Sequence, residues 1–233
     1  MKFLFILVTA LPILLSCNQQ SRPVTSPTEE ALQLEDFDFS TNISTLLPEK
    51  TKSKVYSGTY ELKSEMLEAD TVSDGDYGSE TPVRIEYKQQ SFSSEDVLAE
   101  FAGEEFNAVN LVTAMDGSIM LVNALKDLAG LKQMRTFIET LEKKYGKPVK
   151  SKGKFANQDF DLYTWQLNDR IIRYSVVLES EENTLRLEVD ENTKKVSEGK
   201  KESHYKGYIY ILKNEFKDKI FGKVSSGDFV FLE

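Results

Sequence analysis

Apolar and polar residues alternate along three successive segments late in the chain, and this alternation limits the fold most. The segments are residues 161–167, 172–178 and 185–189. Alternation with period two is typical of strands that bury one face and expose the other. Asn168-Asp169 has the composition of a turn between the first two segments. The pattern therefore predicts an antiparallel meander covered on one side only, and its apolar face needs another element against it.

One long helix is the best candidate for that cover. Between residues 127 and 145, apolar side chains recur at steps of three and four, which is the spacing of one helix face. They are Leu131, Met134, Ile138, Leu141 and Tyr145. Gly146 can form a left-handed cap and Pro148 prevents further helix. We therefore predict an α+β fold in which an antiparallel β-sheet meander packs on one main helix at about 127–145.

Shorter patterns predict an additional N-terminal region of strands and short helices, and further strands near the C-terminus. The expected strands are residues 55–62, 83–87, 205–212 and 228–232. Residues 35–54 are expected to form a short helix or an irregular segment, and residues 65–82 an acidic loop. A short helix is expected to begin at residues 93–96, where serine can cap free N–H groups.

Residues 110–122 are typical of a β-hairpin. Asp116-Gly117 stands between two apolar runs, and Asp-Gly favours the tight turns that join antiparallel strands. A helix beginning after Ser118 is the alternative.

The first seventeen residues have the charge order of an export signal. Lys2 precedes an apolar run from Phe3 to Leu15, which is shorter than the roughly 20 residues that a permanent membrane helix needs. Ser16 then leads into Cys17, the only cysteine of the chain. This ending resembles the lipobox of bacterial lipoproteins, in which the cysteine is acylated and becomes the first mature residue. The resemblance implies lipid attachment at Cys17.

The expected organisation follows from this signal. Residues 1–16 are the predicted signal peptide, and residues 17–34 the lipidated cysteine and a disordered, proline-containing tether. Residues 35–233 are the predicted α+β domain, with a possible subdivision near residue 107.

The order of elements in residues 108–190 looks like that of many uncharacterised lipoproteins of Gram-negative bacteria. The order is a helix, Tyr-Gly-Lys-Pro, a Tyr-Thr-Trp strand, a hairpin and a third strand. The resemblance implies an architecture and an address in the cell envelope, and no activity. By analogy with lipoprotein sorting, Asn18 directly after Cys17 favours the outer membrane over the inner membrane.

Composition argues against several classes of protein. The formal net charge is −9, and an acidic protein is a poor general binder of nucleic acid. One cysteine gives no disulfide framework, and with His204 as the only histidine the zinc-ligand types are too few. His204 is more simply interpreted as a loop or strand-edge residue than as part of a serine hydrolase triad. We expect no cofactor and no metal.

Three groups of charged residues have a functional and a simpler interpretation. Asp159 and Asp161 share one side of a strand and could act as paired carboxylates, or could be solvated. The acidic loop could hold calcium through Asp70, Asp74, Asp76 and Glu80. Six lysines between residues 143 and 154 could bind an anion, or could complement a helix end and a solvated loop; they are Lys143, Lys144, Lys147, Lys150, Lys152 and Lys154.

These observations favour a lipid-anchored cell-envelope protein that binds an unknown protein or other envelope partner and has no catalytic activity. A carboxylate-dependent glycan hydrolase is one alternative. An immunity or inhibitor protein against an exported toxin is another.

Overall fold

The computed structural model describes residues 26–27, 30–63, 65–74, 81–90, 96–179, 187–189, 193–199 and 203–233. Cys17, the predicted signal peptide and most of the predicted tether lie outside these residues. The strands are β1 Leu32–Gln33, β2 Thr59–Leu62, β3 Glu65–Asp74, β4 Thr81–Gln89, β5 Ala99–Phe101, β6 Glu104–Phe106, β7 Ala108–Thr113, β8 Ile119–Ala129, β9 Val149–Phe155, β10 Gln158–Gln166, β11 Arg170–Glu179, β12 Leu187–Val189, β13 Val196–Glu198 and β14 His204–Lys213. The α-helices are α1 Ile43–Leu46, α2 Leu131–Tyr145 and α3 Lys217–Ile220.

A nine-stranded antiparallel sheet is the centre of the fold, and the predicted α+β class is confirmed. Its strands run in the order β2-β3-β4-β7-β8-β14-β11-β10-β9. Strand β14 lies between β8 and β11, so the last long strand of the chain joins the two halves of the sheet. The first two segments of the predicted meander are confirmed as the neighbouring β10 and β11, and the expected strand at 205–212 is confirmed within β14. The third segment was predicted to pair next to β11, but its described part is β12, outside this sheet, and β14 takes that position. Strands β1, β5 and β6 form a small second sheet, and β12 pairs with β13.

The predicted hairpin is confirmed as β7 and β8. Gly117 has a φ of 83°, and its N–H donates to the carbonyl of Ala114 at 3.0 Å. The N–H of Ala114 in turn donates to the carbonyl of Ser118 at 2.9 Å. Gly117 is therefore the one residue of this turn with a positive φ, a backbone conformation that glycine adopts without steric cost.

Helix α2 is the predicted main helix, and it begins four residues later than expected. Residues 127–129 are the last residues of β8. They therefore belong to the sheet, although the sequence predicted them as the first turn of the helix. Met134, Ile138 and Leu141 are buried as expected, and Phe137 is also buried. Gly146 ends the helix with a φ of 83°, and its N–H donates to the carbonyl of Glu142. As predicted, the helix ends at Gly146 with a positive φ, but its ψ of −174° is not that of the left-handed helical conformation.

Both faces of the sheet are covered, and the prediction of a one-sided sheet is wrong. Helix α2 packs on the face that carries Trp165, Ile172 and Tyr174. The opposite face is covered by residues 214–233, which we call the C-terminal segment. Residues 228–232 were expected to form a strand, but Gly227–Phe231 is a 3-10 helix. Its apolar residues lie against the sheet.

Arg173 and Ser175 explain why the second cover was not apparent from the alternation. As the polar residues of the alternating segment 172–178, both are predicted to face solvent. In the structure, Ser175 Oγ donates to the carbonyl of Phe231 at 2.5 Å and Arg173 Nη1 donates to the carbonyl of Leu232. These side chains bind the backbone of the C-terminal segment. Burial lowers the pKa of Arg173.

The N-terminal region differs most from expectation. The residues expected to form an acidic loop contain the ten-residue strand β3, and the expected strand at 55–62 is reduced to β2. The expected strand at 83–87 is confirmed within β4. Residues 91–95 lie outside the described part of the chain, and residues 96–98 are not helical.

The predicted tether contributes to the fold at its C-terminal end. Leu32 and Leu34 are buried, and β1 pairs in parallel with residues 99–100. Ser26 is also buried, and its hydroxyl donates to the carbonyl of Leu46 at 2.6 Å. The folded part therefore begins before residue 35, and the expected irregular segment contains α1 and a 3-10 helix.

Candidate functional site

A groove lies between the first two turns of α2 and the sheet strands beneath them. Its cavity volume is about 340 Å³. The helix side is formed by Leu131, Met134, Arg135 and Ile138, and strands β9, β10, β11 and β14 form the other side. We call this cavity the α2 groove, and its sheet side includes Lys152, Asp159, Asp161, Tyr163, Val176, Leu178 and Tyr205.

Strand register explains why these residues meet. Asp161 stands opposite Lys152 on one side and opposite Val176 on the other. Leu178 stands opposite Tyr205 in the next pair of strands. Residues directly opposite each other in antiparallel strands point to the same face, so period-two alternation brings charged and apolar side chains into one groove.

The groove has an apolar side and a charged side. Leu131 and Leu178 are 39% and 46% exposed, which is high for leucines that face a concavity. Lys152 forms an ion pair with Asp161, and the hydrogen bond between them raises the pKa of Lys152. Side chains of both signs beside exposed leucines suit a partner that is itself amphipathic.

Asp159 and Asp161 both line the α2 groove, as expected of residues on one side of a strand. Tyr163 and Tyr205 line it as well. Asp161 is neutralised by the Lys152 ammonium. The pair is thus an aspartate with a lysine partner beside an exposed aspartate.

The six lysines divide between two elements. Lys150, Lys152 and Lys154 lie on β9, which the sequence interpretation treated as a loop. Their partners in β10 are Tyr163, Asp161 and Asp159, so all three lysines share the face that carries the α2 groove. The other three lysines lie in or just after the last turn of α2; they are Lys143, Lys144 and Lys147.

The proposed calcium ligands do not come together in the described residues. Asp70 forms an ion pair with Lys88 at 2.6 Å, and Asp74 is the last residue of β3. Asp76 and Glu80 lie outside the described residues. Within the part of the chain that the structure describes, no three His, Cys, Asp or Glu side chains are grouped to hold a metal ion.

His204 is the first residue of β14 and is half-buried. It stands opposite Glu179 of β11. The expected loop or strand-edge position is wrong, because the residue begins a strand in the middle of the sheet.

A polar cluster that sequence reasoning missed lies where the C-terminal segment meets β4. Glu86 is 1% exposed; Arg84 Nε donates to it at 2.7 Å, and Ser226 Oγ donates to it at 2.5 Å. Lys88 Nζ lies 3.5 Å from Ser226 Oγ, but its ammonium is paired with Asp70. The serine hydroxyl is therefore bound to a carboxylate, and the cluster fastens the C-terminal segment to the sheet.

A second buried polar group lies beside it. Asn110 Nδ2 donates to Asn123 Oδ1 at 2.8 Å and to Asp228 Oδ2 at 2.9 Å. Asn123 Nδ2 donates to the carbonyl of Ile209 at 3.1 Å. Both asparagines interrupt apolar runs, at Ala-Val-Asn-Leu-Val and Leu-Val-Asn-Ala-Leu. An asparagine within an apolar run indicates a buried amide, and a buried amide requires hydrogen-bond partners. The two interrupted runs were therefore the sequence signal for this polar group.

No protein-family model matches the chain, and neither a curated protein nor a solved structure matches it. In the described residues, no helix has the length and apolar composition that crossing a bilayer requires. The features of this chain that bear on function are the sequence around Cys17 and the α2 groove.

Proposed function

We propose that this protein is a lipid-anchored component of the bacterial cell envelope that binds a partner and has no catalytic activity. The observation that carries the proposal is the apolar segment ending at Cys17, the only cysteine in the chain. Acyl chains contribute about 0.8 kcal/mol for each methylene buried in a membrane, so two or more chains hold a protein stably. The outer membrane is the proposed location.

The α2 groove is the proposed binding surface. It presents exposed leucines next to charged side chains, and its walls come from α2 and four strands of the rigid sheet. Sites built on helices and strands hold their side chains more accurately than sites on loops. A partner can therefore dock there with little reorganisation.

Labelling with palmitate tests the anchor. We expect the full chain, produced in bacterial cells with labelled palmitate, to carry label in the membrane fraction. Cys17→Ser is expected to remove the label, and Ser21→Ala, outside the signal, to retain it. Equal labelling of wild type and Cys17→Ser, or no labelling of the wild type, would contradict the anchor.

A glycan hydrolase is the second candidate, because Asp159, Asp161 and two tyrosines line one groove. Turnover of an envelope glycan by the purified protein, abolished by Asp159→Asn and by Asp161→Asn separately, would establish it. The binding proposal predicts no turnover by the wild type.

A further inference from the structure

Strand β9 is an open edge of the nine-stranded sheet. It pairs with β10 over seven consecutive residues without a register shift, and no described strand pairs with its other side. Only Gly153 is buried among its residues. The opposite edge of the sheet is different, because β2 is bridged by Lys52, which stands opposite Tyr60. An exposed edge of this length presents a row of main-chain groups on which another strand can form.

The two faces of β9 have different chemistry. The face on the side of the α2 groove carries Lys150, Lys152 and Lys154 at alternate positions. The other face carries Val149, which is 72% exposed, and Phe155, which is 45% exposed and packs edge-on against Phe231 with ring centroids 5.7 Å apart. One face is thus cationic and the other partly apolar.

The lysines oppose pairing between two copies of this chain. Antiparallel pairing about a two-fold axis perpendicular to the sheet would bring the lysines of both copies to one face, and like charges opposite each other destabilise a sheet. The same lysines favour a strand that carries carboxylates on that face. The lysines of β9 therefore disfavour a second copy of this chain and favour an acidic strand. Specific interfaces distinguish between partners by combining such repulsion and attraction.

We propose that β9 accepts an extended acidic segment of a partner protein as a tenth strand of the sheet. The segment carries Asp or Glu at three alternate positions that face the lysines. Apolar residues at the intervening and flanking positions lie on the face that carries Val149 and Phe155. Main-chain hydrogen bonds give affinity and the alternation gives register. This proposal rests on the proposed binding function and names the partner's chemistry.

The existing ion pairs of the lysines do not prevent this exchange. Lys150 lies 3.3 Å from Glu142, with 62% of its side chain exposed, and Lys152 is 73% exposed in its pair with Asp161. Exposed pairs of this kind contribute little to stability, so an arriving carboxylate can replace or share them.

Fluorescence polarisation with a labelled synthetic peptide tests the proposal on the full-length protein purified from membranes in detergent. The probe is a seven-residue peptide in which glutamate alternates with valine and stands at three positions. The control peptide has the same composition with its three glutamates consecutive. We expect the alternating peptide to bind at least about tenfold more tightly. Its three glutamates lie on one face of the added strand and can all reach the lysines, whereas consecutive glutamates are divided between both faces.

Protein variants and a modified peptide separate pairing from general charge attraction. The triple variant Lys150→Ser, Lys152→Ser, Lys154→Ser is expected to weaken binding about tenfold or more, given three exposed pairs. The matched variant Lys143→Ser, Lys147→Ser, at the end of α2, is expected to leave it unchanged. N-methylation of alternate peptide bonds is expected to abolish binding to the wild type, a test that does not depend on the folding of a variant.

Three results would overturn the proposal. They are equal binding of the two unmodified peptides, unchanged binding of the N-methylated peptide, and absence of binding by any of them. Such a result leaves the anchor intact if the wild type is labelled with palmitate and Cys17→Ser is not. A wild type without palmitate label would instead reject the anchored function, whatever the peptides do.

Discussion

Glu86 shows how a single residue connects the sheet to the C-terminal segment. Its carboxylate is buried on β4 and receives hydrogen bonds from Arg84 and from Ser226 of the C-terminal segment. Arg84 also donates to the carbonyl of Lys223 at 2.7 Å. The link joins residues that are far apart in the sequence, so no local pattern could predict it.

Removing this carboxylate should be costly. Glu86→Ala leaves the Arg84 guanidinium, only 13% exposed, without its carboxylate partner. Removing one member of a buried ion pair costs about 3 kcal/mol. Urea unfolding measures the loss. Glu49→Ala is the control: its pair with Lys52 is exposed and should cost less than about 1 kcal/mol. A loss for Glu86→Ala no larger than that of the control would show that the cluster does not fasten the segment.

Buried tyrosines predict a decline in stability at alkaline pH. Burial raises the pKa of Tyr87, Tyr145, Tyr174 and Tyr210 above the ordinary value of 10.0. The unfolded chain loses these protons from about pH 10 upward while the folded protein retains them. The free energy of unfolding should therefore be independent of these groups below about pH 9 and fall above about pH 10.

The variant Tyr210→Phe tests this pH dependence. The Tyr210 hydroxyl donates to the carbonyl of Asp228 at 2.6 Å, so the variant should lose about 1 kcal/mol near pH 7. Above pH 10 its stability should fall less steeply than that of the wild type. Tyr56→Phe, at an exposed position, should follow the wild type. A Tyr210→Phe profile parallel to the wild type would contradict the assignment.

At the scale of elements, local signals located α2 well and its neighbours less well. The apolar spacing from Leu131 to Tyr145 and the Gly146 cap indicate the helix directly. Its start was misplaced because nothing in residues 127–129 distinguishes the end of a strand from a first helical turn. Strand β3 was interpreted as a loop because its many polar residues hide the alternation, and pairing with β2 and β4 makes it a strand.

The two ends of α2 offer a matched pair of substitutions. Gly146→Ala places a side chain at a φ of 83° and should cost about 1 kcal/mol. Gly130, the N-cap, has no side-chain cap hydrogen bond and has open space where a Cβ would be. Gly130→Asp should gain a few tenths of a kcal/mol. Thermal unfolding should therefore shift in opposite directions, and shifts of the same sign would contradict the assigned caps.

On the scale of the whole molecule, both faces of the sheet are covered, where the alternation predicted one. Apolar residues of β11 and β14 stand at both parities, as with Ile171 beside Ile172 and Tyr208 beside Ile209. That feature was visible in the sequence, but the polar Arg173 and Ser175 favoured a one-sided interpretation. The α2 groove could not be predicted, because it depends on the placing of α2 over the ends of four strands.

Phe231 tests the second cover. It packs against Phe160 and Tyr208, with ring centroids 5.4 and 4.7 Å apart. Phe231→Ala should lower the free energy of unfolding by about 3 kcal/mol, whereas Tyr56→Ala, at a 57% exposed position, should change it by less than about 0.5 kcal/mol. Denaturant titration compares the two. A small effect at Phe231 would mean that the C-terminal segment is not part of the core.

Site-specific photo-crosslinking in living cells tests the central claim, that an anchored protein binds a partner through the α2 groove. Benzoylphenylalanine at position 178, inside the groove, should give a discrete adduct in the membrane fraction, and at the exposed position 55 should give none. The adduct at 178 should also require Cys17. Absence of an adduct at 178, or the same adducts from both positions, would contradict the account.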